Sequence, residues 1–214
     1  MTGPTRLRHA GVVLTLGAAL SVAHVVLRSV LTAGQGAAAA MATPAWPAVQ
    51  GLGVTGATLV LWGLPPMALS LAPAGGRAAL LGGGLLASAW MFLGIFLSYY
   101  GLLIAPWLAR EAPALTAGGR LPPGMPGAFL VVLAVELAGC ALLALPFLRH
   151  GVAPRAVGVL LPLGALLTIA GDLLAPAGPA SNLGWNLATN SGPVVLLVGV
   201  GWYGTRMGRE AAVA

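Results

Sequence analysis

The sequence contains very few charged residues. Only 7% of its 214 residues are charged and 58% are hydrophobic, whereas soluble domains carry about 25% charged residues. All 10 basic residues are arginines because lysine is absent, and aspartate and glutamate together number 4. A water-soluble fold could not cover its surface with so few charges, so the composition predicts a chain embedded in lipid.

Other absences exclude whole classes of chemistry. Without lysine a retinal Schiff base cannot form, and the single cysteine, Cys140, excludes an intrachain disulfide, a CxxC redox pair and a cysteine zinc cage. His24 is the only histidine away from the end of a predicted span, which excludes a bis-histidine haem within one chain. HExxH and GxSxG motifs are also missing. We therefore expect no cofactor and no metal site.

One glycine-rich stretch formally matches a dinucleotide-binding motif. Gly51-Leu52-Gly53-Val54-Thr55-Gly56 fits the pattern GxGxxG. It opens an apolar run and follows no strand, so the context that this motif requires is missing. We interpret the glycines as points of close helix packing.

Six apolar runs are long enough to cross a bilayer, which takes roughly 20 residues. The sequence therefore predicts an all-α integral membrane protein, with residues 1–214 forming a single domain of six transmembrane helices. The last run contains Asn190 and Pro193, and leaves open whether that helix is continuous or broken at 190–193. The predicted spans are 10–33, 49–72, 79–106, 126–148, 155–176 and 184–204.

The arginines predict the orientation of these spans. With six spans and both termini on one side, seven arginines lie on that side and two, Arg110 and Arg120, on the other. This bias places both termini in the cytoplasm. Isolated arginines between apolar runs set topology, so nucleic acid is not expected as a partner. Alanine, glycine, proline and arginine are abundant, as in GC-rich bacterial genomes, which favours a bacterial cytoplasmic membrane.

The polar residues within the spans collect at similar depths. At about 1.5 Å per residue from the outer end, Asp172 lies roughly 6 Å deep and Arg28 roughly 8 Å. On the same scale Asn190 and Tyr99 lie at about 9 to 10 Å, and His24 and Glu136 at about 14 to 15 Å. The inner half of every span is almost purely apolar. This asymmetry predicts a polar cavity that faces outward, with Arg28 paired to Asp172 and His24 to Glu136.

Each of these residues also has a simpler interpretation. Arg28 could extend to the outer headgroups, and Tyr99 lies where an aromatic belt is expected, as do Trp46 and Trp107. Glu136 is the hardest to explain in this way, since its side chain is too short to reach water from mid-membrane. Its simplest structural role is a protonated carboxyl that joins two helices.

Three functions fit this pattern. The first is a small-solute or proton-linked transporter, in which Glu136 and His24 form a proton-handling pair. Its solute-binding residues are Arg28, Asp172, Asn186, Asn190 and Tyr99. The second is a non-catalytic membrane subunit or assembly factor, and the third an intramembrane enzyme acting on a lipid or prenyl substrate, so catalysis is the least favoured reading. The expected partners are the lipid bilayer, a small polar or anionic ligand and a membrane-protein partner.

Overall fold

The computed structural model describes residues 3–112, 124–152, 154–174 and 182–213. Every regular element within these ranges is helical, so the predicted all-helical class is confirmed for the described residues. Two π-helical turns, Met91–Phe96 and Tyr100–Ile104, lie on either side of the short helix α4. The helices are α1 (Gly3–Thr32), α2 (Gly36–Met41), α3 (Trp46–Trp90), α4 (Leu97–Tyr99), α5 (Ala105–Glu111), α6 (Met125–Arg149), α7 (Arg155–Leu174), α8 (Leu183–Thr189) and α9 (Ser191–Val213).

Several helical stretches are apolar and long enough to cross a membrane. Four qualify by themselves, and the pair α8 and α9, which is bent by 52°, brings the number to as many as five. The described chain is therefore a helical protein with several apolar spans. The four are Thr5–Thr32, Trp46–Glu111, Gly127–Arg149 and Arg155–Leu174.

The stretch Trp46–Glu111 is a hairpin of two arms. Its 66 residues are far more than the roughly 20 that one crossing needs. The backbone of α3 leaves the helical region at Gly76, where φ is 55° and ψ is −138°, a conformation that glycine adopts without steric cost. The first arm (46–75) and the second arm (77–111) then run antiparallel. Trp46 Nε1 donates a hydrogen bond to the carbonyl oxygen of Gly101 at 2.8 Å.

The helices form a closed ring in chain order. The first arm packs against α1, the second arm against α6, α6 against α7, and α7 against α9. The ring closes because α9 also packs extensively against α1. Small residues allow close approach at these contacts: a side chain at Gly17 would collide with Val60, one at Gly82 with the backbone of Leu143, and one at Gly164 with Leu196.

The helix bounds agree with the sequence-based spans at most positions. The predicted runs 49–72 and 79–106 fall within the two arms, and 126–148 falls within α6. The predicted run 155–176 extends two residues beyond the end of α7, and those two residues, like Arg120, lie outside the described residues. The last run is broken at Asn190, between α8 and α9.

The two halves of the ring differ in what they bury. We call the end that holds most arginines the arginine end, and the opposite end the cavity end. The core near the arginine end is apolar, and there the rings of Phe147 and Tyr203 meet edge to face at 5.2 Å. The buried polar side chains of the described residues all lie in the cavity half. They are Ser21, His24, Ser29, Gln50, Ser98, Glu136 and Thr168.

The outer surface of the ring is apolar. Trp62 is 69% exposed, and Leu81, Val131 and Leu173 also point away from the core. Water does not favour so many exposed large apolar side chains, whereas lipid does. The outer surface therefore matches the lipid environment that the composition predicts.

Candidate functional site

A cavity of about 210 Å³ lies inside the cavity half of the ring. Side chains from α1, both arms of the hairpin, α6, α7 and α9 line it. The first π-helical turn of the second arm, Met91–Phe96, contributes Leu93 and Gly94 to its wall. Turns of this kind are frequent at functional sites. The cavity is therefore the place where the ring as a whole brings polar groups together.

Most of the sequence-predicted site residues line this cavity. They are His24, Arg28, Glu136, Asp172 and Asn190. Asn186 lies one turn before Asn190 and donates a hydrogen bond to Thr32 Oγ1 at 3.2 Å. Tyr99 is 51% exposed and is not among the lining residues, so its predicted part in solute binding has no support from its position.

A backbone carbonyl fixes the ring of His24. The carbonyl oxygen of Val49, at 2.9 Å from Nδ1, can only accept, so Nδ1 carries the hydrogen. Among the described residues the ring makes this one hydrogen bond, which leaves Nε2 without a partner. The ring lies over Gly53, where an added Cβ would come within 2.8 Å of both His24 Nδ1 and Ser98 Oγ. Gly53 and Gly56 thus serve close packing, as the sequence indicates, whereas a Cβ at Gly51 would meet nothing within 4 Å.

Arg28 is held at the break between α8 and α9. Its Nη2 donates to Asn190 Oδ1 at 2.9 Å, while Asn190 Nδ2 donates to the carbonyl oxygen of Asn186 at 2.7 Å. Asn190 stands between the two bent helices and so connects α1 to the interruption of the last span. The sequence predicts a polar role for Asn190, but not this bond to Arg28.

Neither of the two predicted charge pairs makes a direct contact. Arg28 and Asp172 both line the cavity, but the hydrogen bond of Arg28 goes to Asn190. His24 bonds to Val49 and not to Glu136. Asp172 has an exposed side chain and also lines the cavity. The cavity therefore reaches the surface at Asp172, while His24 and Glu136 lie buried at its floor.

Three buried polar atoms of the described residues have no hydrogen-bond partner: Ser21 Oγ, Trp90 Nε1 and Glu136 Oε2. All three belong to residues that line the cavity, and the three side chains are 5%, 6% and 2% exposed. An unsatisfied buried polar group costs about 1–3 kcal/mol, and such groups normally bond to protein or ordered water. Their convergence on one cavity indicates a site for water or a polar ligand.

Sequence reasoning missed two of these three residues. Serine is ordinary in membrane helices, but Ser21 precedes His24 by three positions and therefore shares its helix face, a spacing that could have revealed it. Trp90 lies in the middle of the predicted span 79–106, whereas tryptophan is expected at its ends. Trp46 shows the reverse: it was predicted in the aromatic belt, but it is only 3% exposed and bonds to Gly101.

The groups in the site can exchange a proton or bind a polar ligand. The described residues include no group of three or more histidine, cysteine or acidic side chains that could hold a metal ion. Cys140 is buried below Glu136 on the same helix and does not line the cavity. The available groups are a carboxyl at the floor, an imidazole with one free nitrogen, a hydroxyl, an indole N–H and, nearer the surface, Arg28 and Asp172.

The chain shows no match to a known protein, so its function has to be inferred from the site. No family model matches the chain, and no curated protein or solved structure matches it.

Proposed function

We propose that this protein carries a small polar or ionic solute across the bacterial cytoplasmic membrane, with Glu136 and His24 handling a proton. Its architecture in this proposal is six spans: α1, the two arms of the hairpin, α6, α7, and α8 together with α9. Both termini face the cytoplasm, because seven of the ten arginines then lie on the cytoplasmic side. The cavity end faces outward.

The observation that carries this proposal is the cavity with its unpartnered polar groups. A carboxyl without a hydrogen bond at membrane depth is expensive, and a protein that needed only a stable bundle would fill this position with an apolar side chain. Retaining Glu136, Ser21 and Trp90 around an open space is the arrangement of a site that is satisfied only when something binds.

The apolar arginine half supports the same reading. Leu64 and Leu143 are almost completely buried in the arginine half, and the buried Leu197 lines the cavity, so apolar side chains follow the cavity toward the arginine end. Transport then requires a second arrangement of the helices that opens this half. Irregular backbone at Asn190, within the last span, is the kind of break that marks solute sites in transporters.

The direct test is transport by the purified protein in sealed vesicles. Proteoliposomes containing a pH-sensitive dye would be exposed to a panel of small amines, amino acids, carboxylates and sugars, with and without a pH gradient. We expect at least one solute to change the internal pH through the wild type, and Glu136→Gln to abolish that change. Glu111→Gln is the matched control, because Glu111 is an exposed carboxylate at the end of α5.

Two outcomes would contradict transport. One is a well-folded Glu136→Gln variant whose solute response equals that of the wild type. The other is the absence of any solute-dependent signal together with stable co-purification of a second membrane protein, which would support the role of a non-catalytic subunit.

A further inference from the structure

The charges around the cavity do not balance. Arg28 contributes one positive charge, and Glu136 and Asp172 contribute two carboxyls. We assign the neutral form to His24, since a second cation one turn from Arg28 on the same helix face would be repelled. Arg28 and Asp172 offset each other near the surface. An ionised Glu136 is then an uncompensated buried charge, and such a charge must gain a proton or a cationic partner.

The floor of the cavity is rich in hydrogen-bond acceptors. Glu136 presents a carboxyl group, His24 an unpartnered Nε2, and Ser21 an unpartnered hydroxyl oxygen. A primary ammonium group has three N–H donors and no acceptor, which matches these three groups. Trp90 lines the same cavity, and tryptophan is the aromatic side chain that cations favour most.

The cationic group of the cavity is poorly placed for an anion. Arg28 is already bonded to Asn190 and lines the same cavity as the carboxylate of Asp172. An anion beside Arg28 would also meet the negative charge of Asp172. The cavity volume of about 210 Å³ is below the roughly 300–1,000 Å³ of pockets for drug-sized ligands, so the ligand is small.

From these observations we infer that the cavity binds a small primary ammonium cation, and that this cation and a proton compete for Glu136. This inference rests on the proposed function and names the solute class for it. In the empty state Glu136 is a carboxylic acid. On binding, its O–H bond breaks, the proton leaves to water, and the carboxylate pairs with the intact ammonium group, so the cavity keeps the same net charge in both states.

The groups that surround Glu136 identify it as the exchanging group. Those with a titratable or charged side chain are His24 and Arg28 on α1, Asp172 on α7 and Cys140 on its own helix. The described residues that α3 and α9 place in the lining carry no titratable side chain. Asp172 has Arg28 as an opposite charge in the same cavity, whereas Glu136 is buried with no further cation to offset it.

Binding can be measured without transport, through the release of protons. The full-length protein in detergent and weak buffer at mildly acidic pH, where Glu136 holds its proton, would be titrated with methylammonium chloride in the presence of an indicator dye. We expect saturable release of about one proton per protein. Tetramethylammonium chloride, which has no N–H donor, should release none, and sodium chloride controls for ionic strength. Glu136→Gln should abolish the release, while Glu111→Gln should match the wild type.

Further variants test the role of the acceptors. Ser21→Ala should weaken methylammonium binding roughly tenfold, because one hydrogen bond to a charged group is lost, while the amount of proton released at saturation stays unchanged. Trp90→Phe should also weaken binding with the same stoichiometry. These two variants keep the inference testable if Glu136→Gln does not fold.

Three results would overturn the inference. Saturable binding of sodium acetate in place of methylammonium would assign the cavity to anions. Equal responses to methylammonium and tetramethylammonium would remove the role of the N–H donors. No saturable response to any of these probes would assign the cavity to ordered water.

The vesicle assay separates the failure of this inference from the failure of the proposed function. If vesicles show Glu136-dependent transport of a solute that is not an amine, transport stands and the solute class is wrong. If methylammonium releases protons but is not transported, the ligand class stands and transport is wrong.

Discussion

The two halves of the ring are built from the same helices but differ in how tightly their side chains fill the centre. Near the arginine end, large apolar side chains such as Phe147 and Leu161 fill the centre with no exposure. Near the cavity end, the same helices leave an open space lined by polar side chains, and three buried polar atoms there have no hydrogen-bond partner. Close packing stabilises a fold, so the cavity half contributes less to stability than the arginine half. Lower stability of this kind is typical of functional sites.

The largest expected effect lies in the arginine half. Phe147→Ala should lower the free energy of unfolding by about 3–5 kcal/mol, because it leaves a cavity where the side chain is fully buried against Tyr203. Phe96→Ala is the control, since Phe96 is 45% exposed on the outer surface. Equilibrium unfolding in mixed detergent micelles measures both. Equal losses in the two variants would show that the arginine half is not the packed core of the protein.

The cavity half should respond in the opposite direction. Glu136→Leu is expected to raise the free energy of unfolding by about 1–3 kcal/mol, because it removes an unsatisfied buried carboxyl, and to abolish the solute response in vesicles. Glu111→Leu, at an exposed position, should leave both unchanged. A loss of stability in Glu136→Leu as large as that in Phe147→Ala would mean that the carboxyl joins helices, and the contrast between the halves would fail.

An effect on stability of similar size but opposite sign is expected where the first arm meets α1. Gly53→Ala places a Cβ within 2.8 Å of His24 Nδ1, so it should displace the imidazole from Val49 and reduce stability by about 1–3 kcal/mol. Gly51→Ala is a matched control two residues away, since a Cβ there would meet nothing within 4 Å. Thermal unfolding followed by circular dichroism compares the two. Identical melting temperatures would show that His24 is not held by close packing.

The smallest effect tests whether polar contacts matter in the arginine half. Ser70 and Tyr203 share a hydrogen bond of 3.1 Å between the first arm and α9. Such bonds between membrane helices contribute about 0.6 kcal/mol on average, so Ser70→Ala should lower the free energy of unfolding by about that amount. Ser88→Ala, at an exposed position, is the control. A loss several times larger would show that this half also depends on polar contacts.

The sequence predicts helices and depths better than it predicts contacts. Apolar runs locate the spans because lipid requires them, and a depth count brings His24 and Glu136 to one level, with Arg28 nearer the outer end, because the rise per residue is constant. Depth does not give the rotation of a helix about its axis. The depth count therefore could not predict the observed hydrogen bonds, in which Val49 accepts from His24 and Asn190 accepts from Arg28. The turn at Gly76 is also hard to predict from the sequence, because a single residue reverses the chain and no loop marks the position.

The closed ring has one seam that no loop joins. Each of its other contacts lies between segments that follow one another in the chain, but α1 and α9 are the first and last helices described. Their contact depends on Gly11, Thr15 and Gly204 near the arginine end and on the bond between Arg28 and Asn190 near the cavity end. Separating them strains no connection, whereas separating the two arms would bend the turn at Gly76. Within the described residues the seam is therefore held by noncovalent contacts, and the bond between Arg28 and Asn190 fastens its cavity end.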